Sequence, residues 1–184
     1  MLIKKFCKMN FIHPEKIIPL LQISEGMKIA DLGCGAGFFT ILLAKAVGEN
    51  GEIFAADVQK SSLESVKIKA QAEKISNIKT IWADLEIYGT TKIADDSLDM
   101  VLISDVLFQS KKKGAIIKEA WRIVSPNGKL AIIDWKPESL EIGPKNSYRL
   151  AKNDMIKIAE ETGFKLTSEF DASDYHYGLF FSKE

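Results

Sequence analysis

Short apolar runs recur along the chain at Met27–Leu32, Glu52–Ala56, Ile78–Ala83, Met100–Ile103 and Leu130–Ile133. They are largely continuous rather than alternating in polarity, which is the pattern of strands covered on both faces, as in a parallel sheet. Segments of helical period lie between them. Phe39, Leu42, Leu43, Ala46 and Val47 form one apolar stripe. Leu63, Val66 and Ala70 form a second, and Ser61 with Glu64 reads as the capping box that opens it. Ile116, Ile117, Ala120, Trp121 and Val124 form a third, stopped by Ser125-Pro126-Asn127-Gly128. Asn153 reads as the cap of a fourth helix, through Met155, Ile156 and Ala159, which Gly163 closes.

Beyond that helix the pattern changes. Phe164–Phe170 and Tyr175–Phe181 are strand-like runs separated only by Asp171–Asp174. A gap so short permits a hairpin but no crossover helix, so the last strand is expected to run antiparallel to the others. The reading is a doubly wound α/β fold, a mostly parallel sheet with an antiparallel last strand. Residues 10–24, with Pro14 and Pro19, read as a short helical lead-in. No linker divides the chain, so a single domain is expected over residues 1–184, with 1–24 as its lead-in region.

Composition narrows the function classes. A chain of 184 residues buries roughly 70% of its unfolded surface and needs neither disulfide nor metal as a staple. Lys+Arg and Asp+Glu are both 25, and this balance lacks the basic footprint of a nucleic-acid binder. Arg122 and Arg149 are the only arginines, so bidentate anion clamps are poorly supplied. Cys7 and Cys34 do not make a disulfide framework, and Lys4, Lys5 and Lys8 interrupt any signal-peptide core, so a cytoplasmic location is expected. No run approaches a membrane span. Two Cys and two His without ligand spacing predict no metal site. The Lys111-Lys112-Lys113 run reads as a solvated helix start, and Phe38, Phe39 and Trp121 as packing residues.

The most informative segment is Asp31-Leu32-Gly33-Cys34-Gly35-Ala36-Gly37, between the first strand and the first helix. Ligands of open α/β sheets bind beyond the C-terminal ends of the strands, where this loop sits. A dinucleotide fingerprint wants its third glycine at position 38, where Phe38 stands, and no Walker lysine follows. Asp31, just ahead of the first glycine, serves a pyrophosphate poorly and a cationic ligand well. Asp57 ends the second strand, where an acid accepts from both ribose hydroxyls, and Val58 follows it as an apolar wall for a base. Trp82-Ala83-Asp84 ends the third, where an acid accepts from an exocyclic amine. The three acids describe a pocket for a ribose, an adenine and a positive centre.

On these residues the chain resembles the Rossmann-like S-adenosylmethionine-dependent methyltransferases, in the small branch related to the ubiquinone/menaquinone C-methyltransferases. The resemblance spans roughly residues 13–181 and includes Asp95-Asp96-Ser97-Leu98-Asp99, Glu119–Leu130 (with Asn127 where relatives usually carry glycine) and Tyr175–Phe181. It implies a seven-stranded sheet of order 3-2-1-4-5-7-6 and S-adenosylmethionine as cofactor. Cofactor-binding roles then fall on Asp31, Gly33, Cys34, Gly35, Ala36, Gly37, Asp57, Val58, Ala83, Asp84 and Ser104. Many relatives carry a histidine just after the fourth strand. Here Ser104-Asp105-Val106-Leu107-Phe108-Gln109 has none.

Methyl transfer from a sulfonium needs positioning, and needs a base only where the nucleophile is protonated or carbon-centred. The active edge of the sheet offers Asp105 after the fourth strand and Asp134 after the fifth. The reversed last strand returns Tyr175 and His176 to the same edge, so Asp134 and His176 are expected as an acid–imidazole pair. Asp105, Asp134 and His176 are the catalytic candidates, whereas His13, before Pro14, reads as a turn residue. The expected function is methyl transfer to a small-molecule acceptor, with no nucleic-acid partner, and the chain is compatible with a homo-oligomer. The alternative is a non-catalytic, nucleoside-binding partner or sensor subunit. A nicotinamide dehydrogenase is disfavoured by Phe38.

Overall fold

A computed structural model describes residues 12–137 and 142–184. The part of the lead-in at residues 1–11, including Cys7, lies outside the described residues. The strands are β1 (Lys28–Leu32), β2 (Glu52–Asp57), β3 (Ile78–Trp82), β4 (Leu98–Ser104), β5 (Val124–Trp135), β6 (Phe164–Asp171) and β7 (His176–Lys183). They form one seven-stranded sheet in the order β3-β2-β1-β4-β5-β7-β6. The pairs among β1 to β5 are parallel, while β7 is antiparallel to both β5 and β6. The strand order and the antiparallel β7 are those expected from the four-residue gap before it and from the family resemblance.

Burial follows strand position. β1 and β4 are almost wholly buried, whereas the outer strands β3 and β6 keep only part of their side chains from water. The helices are α1 (Pro14–Ile17), α2 (Phe38–Val47), α3 (Lys60–Ala72), α4 (Lys113–Ile123) and α5 (Lys152–Thr162). One core layer packs Ile116, Ile117 and Ala120 of α4 and Met155 of α5 against Leu130 and Ile132. The other packs Leu43 and Val47 of α2, with Ile17 and Leu21, against Ile29, Met100 and Ile133. Continuous apolar strands are thus required, because each strand has a covered layer on either side.

Two helix starts differ from the sequence reading. α3 begins at Lys60 with Gln59 in the cap position and no side-chain cap, so Ser61 lies inside the helix rather than ahead of it. α5 begins at Lys152 after an extended Ala151, which places Asn153 in the first turn. Gly163 does close α5, at φ 110° with its amide donating to Ala159 and Glu160 carbonyls. β5 starts at Val124, directly after α4, and its pairing with β4 slips between Leu98 and Met100. Asn127 adopts φ 64°, a left-handed conformation that asparagine tolerates better than most residues and that the family's glycine takes freely.

The long connection between β3 and β4 is held by buried charge. Glu119 is fully buried and accepts from the Gly89 amide, the Thr91 hydroxyl and the Arg122 guanidinium. Arg122 also donates to the Ile93 carbonyl and to Asp95. These bonds keep the Glu119 carboxyl below its ordinary range despite its burial. They fix a segment that starts at the functional edge of the sheet.

Candidate active site

A cavity of about 850 Å³ opens at the C-terminal ends of β1, β2, β3 and β4. Of the expected cofactor residues, Asp31, Gly33, Cys34, Gly35, Ala36, Asp57, Val58, Asp84 and Ser104 line it. Gly37 and Ala83 do not; both are buried behind its wall. Gly37 caps α2 at φ 82°, where a Cβ would strike Val66 at 2.7 Å. The close approach to Val66 gives this position its own packing reason to be glycine.

Gly33 and Gly35 have different reasons to be glycine. A Cβ on Gly33 would meet Val106 at 2.3 Å, so the loop packs directly on the turn after β4. At Gly35, φ 50°, nothing lies within 4 Å of that Cβ. This open ground lets a ligand approach the backbone. Asp57 holds the loop in place, its Oδ2 accepting from the Gly35 amide at 2.9 Å and its Oδ1 from the Gln59 amide at 2.8 Å. A carboxylate has about four lone-pair positions, so each oxygen keeps one for a ligand hydroxyl.

Asp31 is buried, and its Oδ2 accepts from the Thr40 hydroxyl at 2.6 Å. Burial, opposed by the Thr40 bond and reinforced by the charge of Asp57, pushes its carboxyl up to about 6. Burial chiefly, and then the neighbouring carboxylates, push the Cys34 thiol far up, so this cysteine stays protonated and unreactive. Asp84 accepts from the Glu86 amide at 2.9 Å, a local turn that leaves the side chain exposed.

The cavity is lined by six carboxylates: Glu15, Asp31, Asp57, Asp84, Glu86 and Asp105. No lysine or arginine lines it among the described residues. S-adenosylmethionine, a nucleoside with a sulfonium and an ammonium, fits this donor set. A cation relieves the crowded anions, and the open ground at Gly35 admits it. A phosphate chain would meet six carboxylates and no lysine or arginine among the described lining residues.

The catalytic candidates separate. Asp105 lines the cavity at φ 56°, a left-handed conformation costly for a residue with a Cβ. His176 is 2% exposed and stands behind it, with Nε2 3.3 Å from Asp105 Oδ1. Asp134 neither lines the cavity nor meets His176. Register is the reason: Trp135 pairs with His176 and Asp134 with Tyr177, so Asp134 and His176 point to opposite faces of the sheet. The imidazole rests instead on the Trp135 indole, ring centroids 4.1 Å apart. Asp134 accepts from the Phe108 and Trp135 amides, which ties the turn after β4 to β5. Burial chiefly, and secondarily the charge of Asp105, push the Asp134 carboxyl up to about 7.

Several lining residues carry no motif. Ile12, His13, Pro14 and Glu15 close one side of the cavity, so His13 is both the residue before α1 and a cavity residue. Phe38 is 67% exposed at the rim rather than packed, with Lys69 Nζ 3.8 Å above its ring. Gln59, Ser62, Leu85, Glu86, Gln109 and Ser110 also line the cavity. Gln59, Leu85 and Glu86 follow strand ends closely, whereas Ser62 on α3 and Gln109 and Ser110 beyond β4 carry no local signal.

The architecture recurs in a SAM dependent methyltransferase from Aquifex aeolicus, with a TM-score of 0.85, 25% identity, and coverage of 94% of this chain and 90% of that one. The fold is that of the Rossmann-like, S-adenosylmethionine-dependent methyltransferase domains. Residues 23–175 match the family described as "Methyltransferase domain", and the chain belongs to that family. It is 28% identical over 134 residues to the demethylmenaquinone methyltransferase of Geobacillus sp. (strain WCH70), covering 73% of this chain and 56% of the relative. It is 26% identical over 161 residues to the ubiquinone/menaquinone biosynthesis C-methyltransferase of Shewanella frigidimarina, covering 86% of this chain and 61% of the relative. The chain thus spans little more than half the length of the curated relatives it matches.

Proposed function

We propose that this chain transfers the methyl group of S-adenosylmethionine to a small acceptor without negative charge, a quinone-type ring being the leading candidate. The observation that carries this reading is the acid-lined cavity without a cationic residue among the described ones. Such a field disfavours an acceptor of net negative charge and accepts neutral or cationic molecules, S-adenosylmethionine among them, since its sulfonium and ammonium outweigh its single carboxylate. Ile12, Val106 and Ile116 supply apolar wall for a ring. The names of the curated relatives point to the same acceptor class. Their description as methyltransferases also favours catalysis over a sensor role.

In this reading Asp57 accepts from the ribose hydroxyls, Val58 and Asp84 flank the adenine, and Asp31 with Ser104 faces the methionine end. The bound cofactor supplies an electrophilic methyl on a sulfonium. The chain supplies orientation and a negative field that holds the cation. Calorimetry is expected to show binding of S-adenosylmethionine and S-adenosylhomocysteine, and none of NAD or ATP at the same concentration. An acceptor panel should release S-adenosylhomocysteine with uncharged hydroxylated rings and not with phosphorylated or carboxylated ones. Tight NAD binding, or preference for an anionic acceptor, overturns the reading.

A further inference from the structure

The geometry points to Asp105 as the group that takes a proton from the acceptor, held in place by a buried chain through His176 to Ser173. This inference rests on the methyl-transfer reading and adds to it the acceptor's chemistry: a nucleophile that carries an ionisable hydrogen, such as a ring hydroxyl. Asp105 sits on the turn directly after β4, and its amide donates to the Ile133 carbonyl at 3.0 Å, so its backbone is fixed. Its side chain is 38% exposed, yet its Oδ1 is buried. The exposed polar atom is therefore Oδ2, and Asp105 is a lining residue of the cavity. Oδ1 faces His176 Nε2 at 3.3 Å, off the line of a full hydrogen bond, and neither atom has another partner.

Ser173 sets the direction of the imidazole. Its Oγ lies 2.8 Å from His176 Nδ1 and also accepts from the Tyr175 amide at 3.1 Å. Ser173 is buried, so its own hydroxyl hydrogen has Nδ1 as the acceptor at hand. Nδ1 then accepts, and Nε2 carries the hydrogen toward Asp105. The Trp135 ring fixes the imidazole plane. The charge of Asp105 acts on the Asp134 carboxyl of β5, and Lys113 acts on that same carboxyl in the opposite sense.

The step balances without a further reagent. Asp105 Oδ2 takes the acceptor's proton as its O–H bond breaks. The freed electron pair, on oxygen or on the conjugated ring carbon, bonds to the methyl carbon. The carbon–sulfur bond breaks with its pair left on sulfur, giving a neutral thioether and a methylated acceptor. For attack through oxygen, Asp105 then passes its proton to water. For attack through ring carbon, water takes the ring C–H proton and the proton held on Asp105 returns to the ring oxygen, which restores the hydroxyl and the free carboxylate. Asp105 is the catalytic residue here; His176 and Ser173 are positioning residues.

The test uses the fact that the sequence has only two histidines. Long-range proton–nitrogen NMR of 15N-histidine-labelled, cofactor-free protein reads the His176 tautomer directly. The expected result is an Nε2–H tautomer in the wild type, lost in Ser173→Ala and kept in Ser173→Thr. Asp105→Asn is expected to lower kcat roughly 100- to 10,000-fold, with S-adenosylhomocysteine affinity within about threefold of wild type. Ser173→Ala should lower kcat with KM unchanged, and Ser173→Thr should restore it. An Nδ1–H or freely averaging imidazole, or an undiminished kcat in Asp105→Asn, overturns the relay. Absence of S-adenosylhomocysteine binding to wild type overturns the methyl-transfer reading instead.

Discussion

Asp57→Ala is expected to weaken S-adenosylhomocysteine binding by roughly 30- to 1000-fold. In the proposed complex its carboxylate accepts from both ribose hydroxyls. Bonds to a charged acceptor contribute about 1.5–3 kcal/mol each, and water replaces part of that, which leaves about 2–4 kcal/mol. The same carboxylate also accepts from the Gly35 and Gln59 amides, so the variant loosens the glycine loop as well. A strand-tip acid read from sequence alone carries no structural duty, and the two amide bonds correct that. The cofactor-free melt should fall by an amount corresponding to about 1–2 kcal/mol. An analogue lacking a ribose hydroxyl separates the two effects, because it should lose affinity for wild type and lose little more for the variant. Equal binding of S-adenosylhomocysteine by both proteins removes the ribose role.

Asp31→Asn is expected to raise the melting temperature of the cofactor-free protein at pH 8 and to cripple cofactor binding. Asp31 stands at about 6 in the folded chain because burial penalises its charge. Between its ordinary value near 4 and this raised value, the folded state holds a proton that the unfolded state has released. Stability from this group is therefore greatest below pH 4, falls as pH rises through 4 to 6, and stays at its minimum above. A shift of about two units corresponds to about 3 kcal/mol. Asparagine keeps the shape and an acceptor for Thr40 without the charge, although its amide hydrogens want partners. A net gain of about 1–2 kcal/mol, or several degrees, is the expected result at pH 8. Wild type and variant should converge at pH 4. The cost falls on the ligand, because the anion facing its positive end is gone. Wild-type affinity should likewise weaken as pH falls below 6. A variant less stable than wild type at pH 8 contradicts this account.

The sheet was legible because its strands carry continuous apolar runs and because four residues between Phe170 and Tyr175 forbid a crossover. The glycine loop was legible because Gly33, Gly35 and Gly37 all take positive φ. What escaped depends on register. Whether Asp134 or Asp105 meets His176 turns on a one-residue step in the β5–β7 pairing, which apolar runs do not resolve. Helix starts escaped for a related reason: Ser61 and Asn153 have capping chemistry, but Gln59 and Ala151 hold the extended backbone. The cavity wall at Ile12–Glu15 has no local signature, since distant packing brings α1 over the strand ends.

The place of β7 between β5 and β6 sets an order on folding during synthesis. β6 leaves the ribosome before β7, which is its only partner in the sheet among the described residues. Until the segment His176–Lys183 emerges, the edges of β5 and β6 that β7 covers in the finished sheet are unmet. The nascent chain therefore carries unmet backbone edges until β7 emerges. Ribosome-stalled chains released just short of β7 should be captured by holdase chaperones and cut by protease within β6. Chains that include β7 should escape both.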